Sequence, residues 1–287
     1  MRYFLTFIFL FISLNGLLAQ SDYGAYYGIT CTTRDTTPEA FMPAPAAFLN
    51  GTAELKTDII LDFTDDVPGI AQAAMRFAAN VWASYLDSEV PVRVNVDWQD
   101  RDNEQLLASA GPATLFRDFA GGEPNTWYPV ALAEAIAGRD LNAPADADIN
   151  VIANSTANWY FGTDGGTPRN RIDLVSVMLH ELGHGLGFLS SADTIGPDQL
   201  ALGFDNRFII YDVFLENNAG LPLTDASLFG NPSPELLAAA TMSDLFFDGP
   251  LAVRENNNAV VPLFAPGSFD TGSSVSHLNE RSYAPGT

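Results

Sequence analysis

The residues in this sequence best suited to chemistry are His180, Glu181 and His184, in the run His180-Glu181-Leu182-Gly183-His184. Side chains four apart share one face of a helix, so both imidazoles can reach a single metal ion. Glu181 is offset by one residue, enough to touch a water held by the ion and not the ion itself. Zinc fits best, because two neutral imidazoles favour a borderline-soft cation and a catalytic zinc takes three protein ligands while keeping one position open. Zinc brings the pKa of its water towards ~7 and polarises a carbonyl, while a carboxylate takes the proton and passes it to the leaving amine. The chemistry implied is peptide-bond hydrolysis.

Five-residue patterns of this kind also arise by chance in unrelated helices. Three features argue against chance here. The preceding run Leu174, Val175, Val177, Met178, Leu179 and Leu182 is apolar on most sides, and a buried helix holds two histidines and a glutamate at a cost unless they are paired or liganded. Gly185 and Gly187 follow, and a glycine three residues after the second histidine lets the helix stop and the chain turn away. Finally, the chain has 3 histidines, and two of them stand in this motif.

The run His180 to Phe188, HELGHGLGF, resembles the start of the metzincin active site, HExxHxxGxx. The third ligand of that pattern would fall at Ser190, a weak neutral ligand, so the standard pattern fails at its last position. The sequence is more similar to the leishmanolysin-like metzincins, in which a third histidine follows an insertion in a Ser-His pair. Here that pair is Ser276-His277, within Gly272-Ser273-Ser274-Val275-Ser276-His277-Leu278. The resemblance covers most of residues 58–279, with 191–270 as the insertion.

The resemblance implies that His180, His184 and His277 hold the zinc and that Glu181 is the catalytic base. It implies an α+β, metzincin-like fold, with a mixed twisted sheet, an active-site helix and a smaller, loop-rich C-terminal lobe. It further implies that the strand at 148–153 is the upper edge of the cleft, to which an extended substrate adds antiparallel. A methionine-containing turn should follow the third ligand. No methionine follows Met242, so the chain is expected to be cut just short of that turn. In another class of zinc peptidase the third ligand is a glutamate on a later helix, with Glu216 and Glu235 as candidates. There the helix runs on past the second histidine, where this sequence has two glycines. Were His277 placed elsewhere, Ser190, Asp193, Glu216 and Glu235 would remain.

These residues need a frame. Asp173 is a good N-cap for the helix that carries the motif. Upstream, residues 57–63 suit a buried strand, and Asp65, Asp66 and Pro68 mark a turn into a helix whose apolar face is Ile70, Ala74, Phe77, Val81 and Tyr85. Val92, Val94, Val96 and Trp98 alternate with Arg93, Asn95 and Asp97, the period of a strand with one wet face. Further strands are expected at 113–119 and 148–153, with a short helix at 130–137 ended by Gly138 and a loop over 154–171. Beyond the motif, Ser233-Pro234-Glu235 opens a helix, and Phe204, Tyr211, Phe214 and Phe246 read as the core of a second lobe.

A chain of 287 residues that is 47% hydrophobic and 11% aromatic can bury a substantial core. Its net charge of -22 argues against nucleic acid and against an anionic membrane surface as partners. Residues 1–20 carry Arg2, an apolar run from Tyr3 to Ile12 and small residues near Ala19, the pattern of a signal peptide and too short for a membrane span. The protein is therefore expected to be secreted. Residues 21–52 read as an irregular, propeptide-like leader, and 53–287 as the metallopeptidase domain, with an upper lobe to 188 and the insertion and lower lobe beyond. Cys31 is the single cysteine and has no internal disulfide partner. It reads as a solvent-facing residue, with a thiol that caps the zinc of a latent form as the alternative.

The expected partners are protein or peptide substrates. The other function class is a non-catalytic, zinc-bearing extracellular adhesion or binding module. Glu181 favours catalysis, because a structural zinc site closes its fourth position and has no use for a carboxylate there.

Overall fold

A computed structural model describes residues 20–23, 29–32, 43–103, 105–241 and 244–283. The expected signal peptide, apart from Gln20, and residues 284–287 lie outside the described residues. So do much of the expected leader and Met242.

The alternating run forms the strand Val92–Gln99, with Val92, Val94, Val96 and Trp98 buried on one side and Asn95 and Gln99 exposed on the other. It pairs in parallel with Ile59–Phe63 on one edge and with Ile149–Asn154 on the other. Leu106–Pro112 runs antiparallel along the far edge of Ile149–Asn154, and Ile29–Thr32 runs antiparallel along the outer edge of Leu106–Pro112. The result is a five-stranded mixed sheet in an α+β chain.

Two expectations fail here for physical reasons. Ile149–Asn154 cannot be the open rim of a cleft, because strands pair with it on both sides and no backbone groups remain for a substrate. The next strand out on that side is Leu106–Pro112, itself covered by Ile29–Thr32, and its sequence Leu-Leu-Ala-Ser-Ala-Gly-Pro has neither β-branched residues nor a period of two. Within the stretch expected as a strand at 113–119, only Leu115–Arg117 is extended, and it belongs to a separate small sheet with Tyr128–Pro129.

The helix Gly69–Ala83 buries Ala71, Ala74, Met75, Ala78, Ala79 and Val81, while Ile70 is 61% and Tyr85 60% exposed. The buried stripe is therefore rotated from the one the larger side chains mark. Small alanine side chains let a helix approach its neighbours closely, and here close packing outweighs the burial of Ile70. The Trp82 indole donates to the carbonyl of Leu179 at 2.9 Å, fastening this helix to Leu174–Leu186, which carries the motif. Gly185 lets that second helix sit against the sheet, since a Cβ there would come within 2.3 Å of the Ile149 side chain.

A second core gathers Leu189, Leu200, Ile209, Tyr211, Leu215, Leu236, Leu263 and Val275. Its antiparallel sheet comprises Leu215–Asn217, Leu245–Phe247 and Val261–Pro262. The helix Pro234–Ala239 starts where expected, with Ser233 Oγ accepting from Leu236 N at 3.1 Å. The helix Val130–Ala137 stops at Gly138, which takes the left-handed φ of 62°. Among the described residues, no helix is long and apolar enough to cross a membrane.

Glu134 and Asp148 are each 2% exposed. Burial raises the Glu134 carboxyl to about 7 against the donors Leu141 N and Asn142 N, with the Asp148 charge adding to the rise. Burial also raises Asp148 against Arg93 N and the Asn142 amide. Both carboxyls hold a proton more tightly folded than unfolded. The Glu134 contribution to stability is therefore full below the unfolded carboxylate pKa and is lost as pH rises through about 7, and Asp148 acts in the same direction. Chemical denaturation should give an unfolding free energy lower at pH 8 than at pH 5 by roughly 1–3 kcal/mol from Glu134. Glu134→Gln should flatten that slope, and an unchanged slope would contradict the assignment.

Candidate metal centre

The helix Leu174–Leu186 begins at the expected cap, where Asp173 Oδ2 accepts from Ser176 N at 2.8 Å and from Ser176 Oγ at 2.6 Å. Leu174, Val175, Val177, Met178 and Leu182 are buried along it, and so are Glu181 at 0% and His184 at 2% exposed. Gly187 ends the helix with a φ of 125°. Its N–H donates to His184 O at 3.1 Å and Phe188 N to Gly183 O at 2.9 Å, a wrapped terminus that needs a residue free of a Cβ penalty.

His277, 93 positions after His184, lies with the helical pair. The Nε2 atoms of His184 and His180 are 2.9 Å apart, and those of His277 and His180 3.0 Å. The three ring centroids stand 4.5, 4.8 and 4.9 Å from one another. His184 Nδ1 faces Phe188 O at 2.7 Å and His277 Nδ1 faces Ser273 O at 2.7 Å. A carbonyl only accepts, so each Nδ1 carries the hydrogen, and each Nε2 faces the common centre.

Burial holds His180 well below the usual histidine range, with His184 and His277 adding to the effect. Burial and then His277 bring His184 down to about 3 against the opposing bond to Phe188. These two rings are neutral at physiological pH, the form that ligates metal. One Nε2–H could satisfy at most one such contact, whereas a single cation satisfies all three nitrogens. Nitrogens sharing a tetrahedral zinc at ~2.0–2.1 Å lie about 3.3 Å apart, close to the separations here. The donor set fits zinc.

Among the described residues, the groups of His, Cys, Asp and Glu near enough to share an ion are His180-His184-His277 and Cys31-His180-Glu181. The rival third ligands fall outside both. Ser190 Oγ donates to Asp212 at 2.6 Å, Asp193 is exposed, Glu216 pairs in the second sheet, and Glu235 sits in the first turn of its own helix.

Cys31 overturns the expectation of a solvent-facing thiol. It is 0% exposed, and its Sγ lies within 4.8 Å of a His180 ring nitrogen and a Glu181 oxygen. Strand alternation causes this, since Ile29–Thr32 joins the sheet opposite Ala108 and Ala110, which turns Ile29 and Cys31 inwards. The Thr-rich surroundings gave no such signal.

A family model described as SPBPB7E8-like matches residues 70–208, a span that includes His180, Glu181 and His184 but not His277. An uncharacterized protein of Schizosaccharomyces pombe is 34% identical over 83 residues, which is 29% of this chain and 14% of the relative. The match thus spans about a seventh of that protein's length. No solved structure matches.

Proposed function

We propose that this chain is a secreted zinc-dependent endopeptidase of metzincin-like fold, acting on extracellular proteins or peptides. The observation that carries the reading is the convergence of three imidazole nitrogens beside a buried glutamate. His180, His184 and His277 would hold the zinc, which when bound supplies Lewis acidity and an acidified water. Glu181 takes the proton of the attacking water and delivers it to the amine as the carbon–nitrogen bond breaks. The glutamate beside the histidines also favours this reading over a zinc-bearing adhesion or binding module.

An extended substrate would seek main-chain partners along Leu106–Pro112, whose outer edge carries Ile29–Thr32 in antiparallel register. Substrate and N-terminal strand then compete for one edge, and Cys31 lies against the catalytic glutamate in the closed arrangement. With a specific cleavage site introduced between Thr32 and Pro43, cutting the folded protein should raise peptide turnover at least ~10-fold, as expected if the open form is a minor population. Unchanged turnover would show that the strand does not block the edge.

The reading itself is tested on the cut protein with a mixed peptide pool. Chelation should stop cleavage of internal bonds and added zinc should restore it. A cut, zinc-loaded chain that cleaves nothing would favour the binding module.

A further inference from the structure

Between His184 and His277 the chain makes an excursion over residues 185–276, so something other than the helix must fix where the third ring arrives. Two adjacent residues on the short helix Ile210–Val213 hold both loops involved. Asp212, 0% exposed, takes the chain just after the motif: its Oδ1 accepts from Ser190 Oγ at 2.6 Å and Ser191 N at 3.2 Å, and its Oδ2 accepts from Ser191 Oγ. Ser190 N in turn donates to Oγ of Ser276, the residue before His277, at 2.9 Å. Tyr211, 3% exposed, takes the other loop directly by donating its hydroxyl to Val275 O at 2.9 Å.

Val275 shows that this loop is held and not merely resting. Its φ is 70°, a left-handed value that a β-branched residue adopts only under constraint. It is buried to 1% exposure. Val275 N donates to Phe264 O and Phe264 N to His277 O, each at 2.8 Å. With the Tyr211 hydroxyl on its carbonyl, both backbone polar groups of Val275 are engaged and the turn into Ser276 and His277 is set.

We propose that Tyr211 and Asp212 are positioning residues that set the third metal-binding histidine against the helical pair. This rests on the reading that His180, His184 and His277 share one ion. Tyr211 acts on the His277 side through Val275, and Asp212 ties that side to the exit of the motif helix through Ser190 and Ser276. Asp212 is in neither group near enough to share an ion, and both residues act through the loops they hold. The effect of Tyr211 on the metal therefore passes through His277.

The test is a double-mutant cycle on metal affinity in the full chain, with Zn2+ competed against a chromophoric chelator and the visible spectrum of the Co2+ form recorded. Tyr211→Phe removes one oxygen from a packed ring. It should weaken Zn2+ binding about 10-fold, the usual scale for a group that orients a ligand, and alter the Co2+ spectrum while far-UV circular dichroism stays unchanged. Asp212→Asn should act in the same direction. In the His277→Ala background Tyr211→Phe should have no further effect, because the ring it positions is gone. Equal losses in both backgrounds, or no loss in the native one, would overturn the proposal and leave the three-histidine reading intact. If His277→Ala itself left affinity unchanged, the reading would fall and the proposal with it.

Discussion

Glu181→Gln should leave zinc bound and remove peptide hydrolysis by at least ~10³-fold, within the range a general base supplies. The change is isosteric, so the buried position, at 0% exposure, keeps its packing, and all three imidazoles remain. What is lost is the group that takes a proton from water and returns it to the leaving amine. Measured on protein whose N-terminal strand has been cut, zinc content should match the native chain while turnover collapses. More than a tenth of native turnover in a zinc-loaded variant would mean that Glu181 is not the base.

The second large effect is expected at His277. His277→Ala should lower zinc affinity by more than ~100-fold, beyond the loss seen for groups that only orient a ligand, because two histidines alone make a poor zinc site. Ser190 is no substitute, since its hydroxyl donates to Asp212 and not to the rings. Ser190→Ala should accordingly cost less than about 10-fold. The opposite order of losses would return the third ligand to Ser190 or to an acidic residue.

The site was more readable from the sequence than the frame around it. His180, Glu181 and His184 come from one short helix whose cap, apolar run and terminal glycine are all local signals, at Asp173, Leu174–Leu186 and Gly187. His277 needed a resemblance, because nothing local links it to a helix 93 positions away. The strand Val92–Gln99 announced itself by alternation. Leu106–Pro112 did not, since a strand of small residues packed against a helix carries no periodic signature. That omission is why the expected cleft edge fell on an inner strand, Ile149–Asn154. Cys31 was misread for a related reason, since its burial depends on a pairing with Leu106–Pro112 that composition does not encode. The hub at Tyr211 and Asp212 left no motif, because its partners at 190, 191 and 275 are brought to it by folding.

X-ray absorption at the zinc edge, on native chain loaded with one equivalent of zinc and on His277→Ala, tests the central claim most directly. Three imidazole nitrogens at ~2.0–2.1 Å are expected in the native protein, and two in the variant. A native spectrum with two or fewer imidazoles, or one that His277→Ala leaves unchanged, would contradict the three-histidine centre.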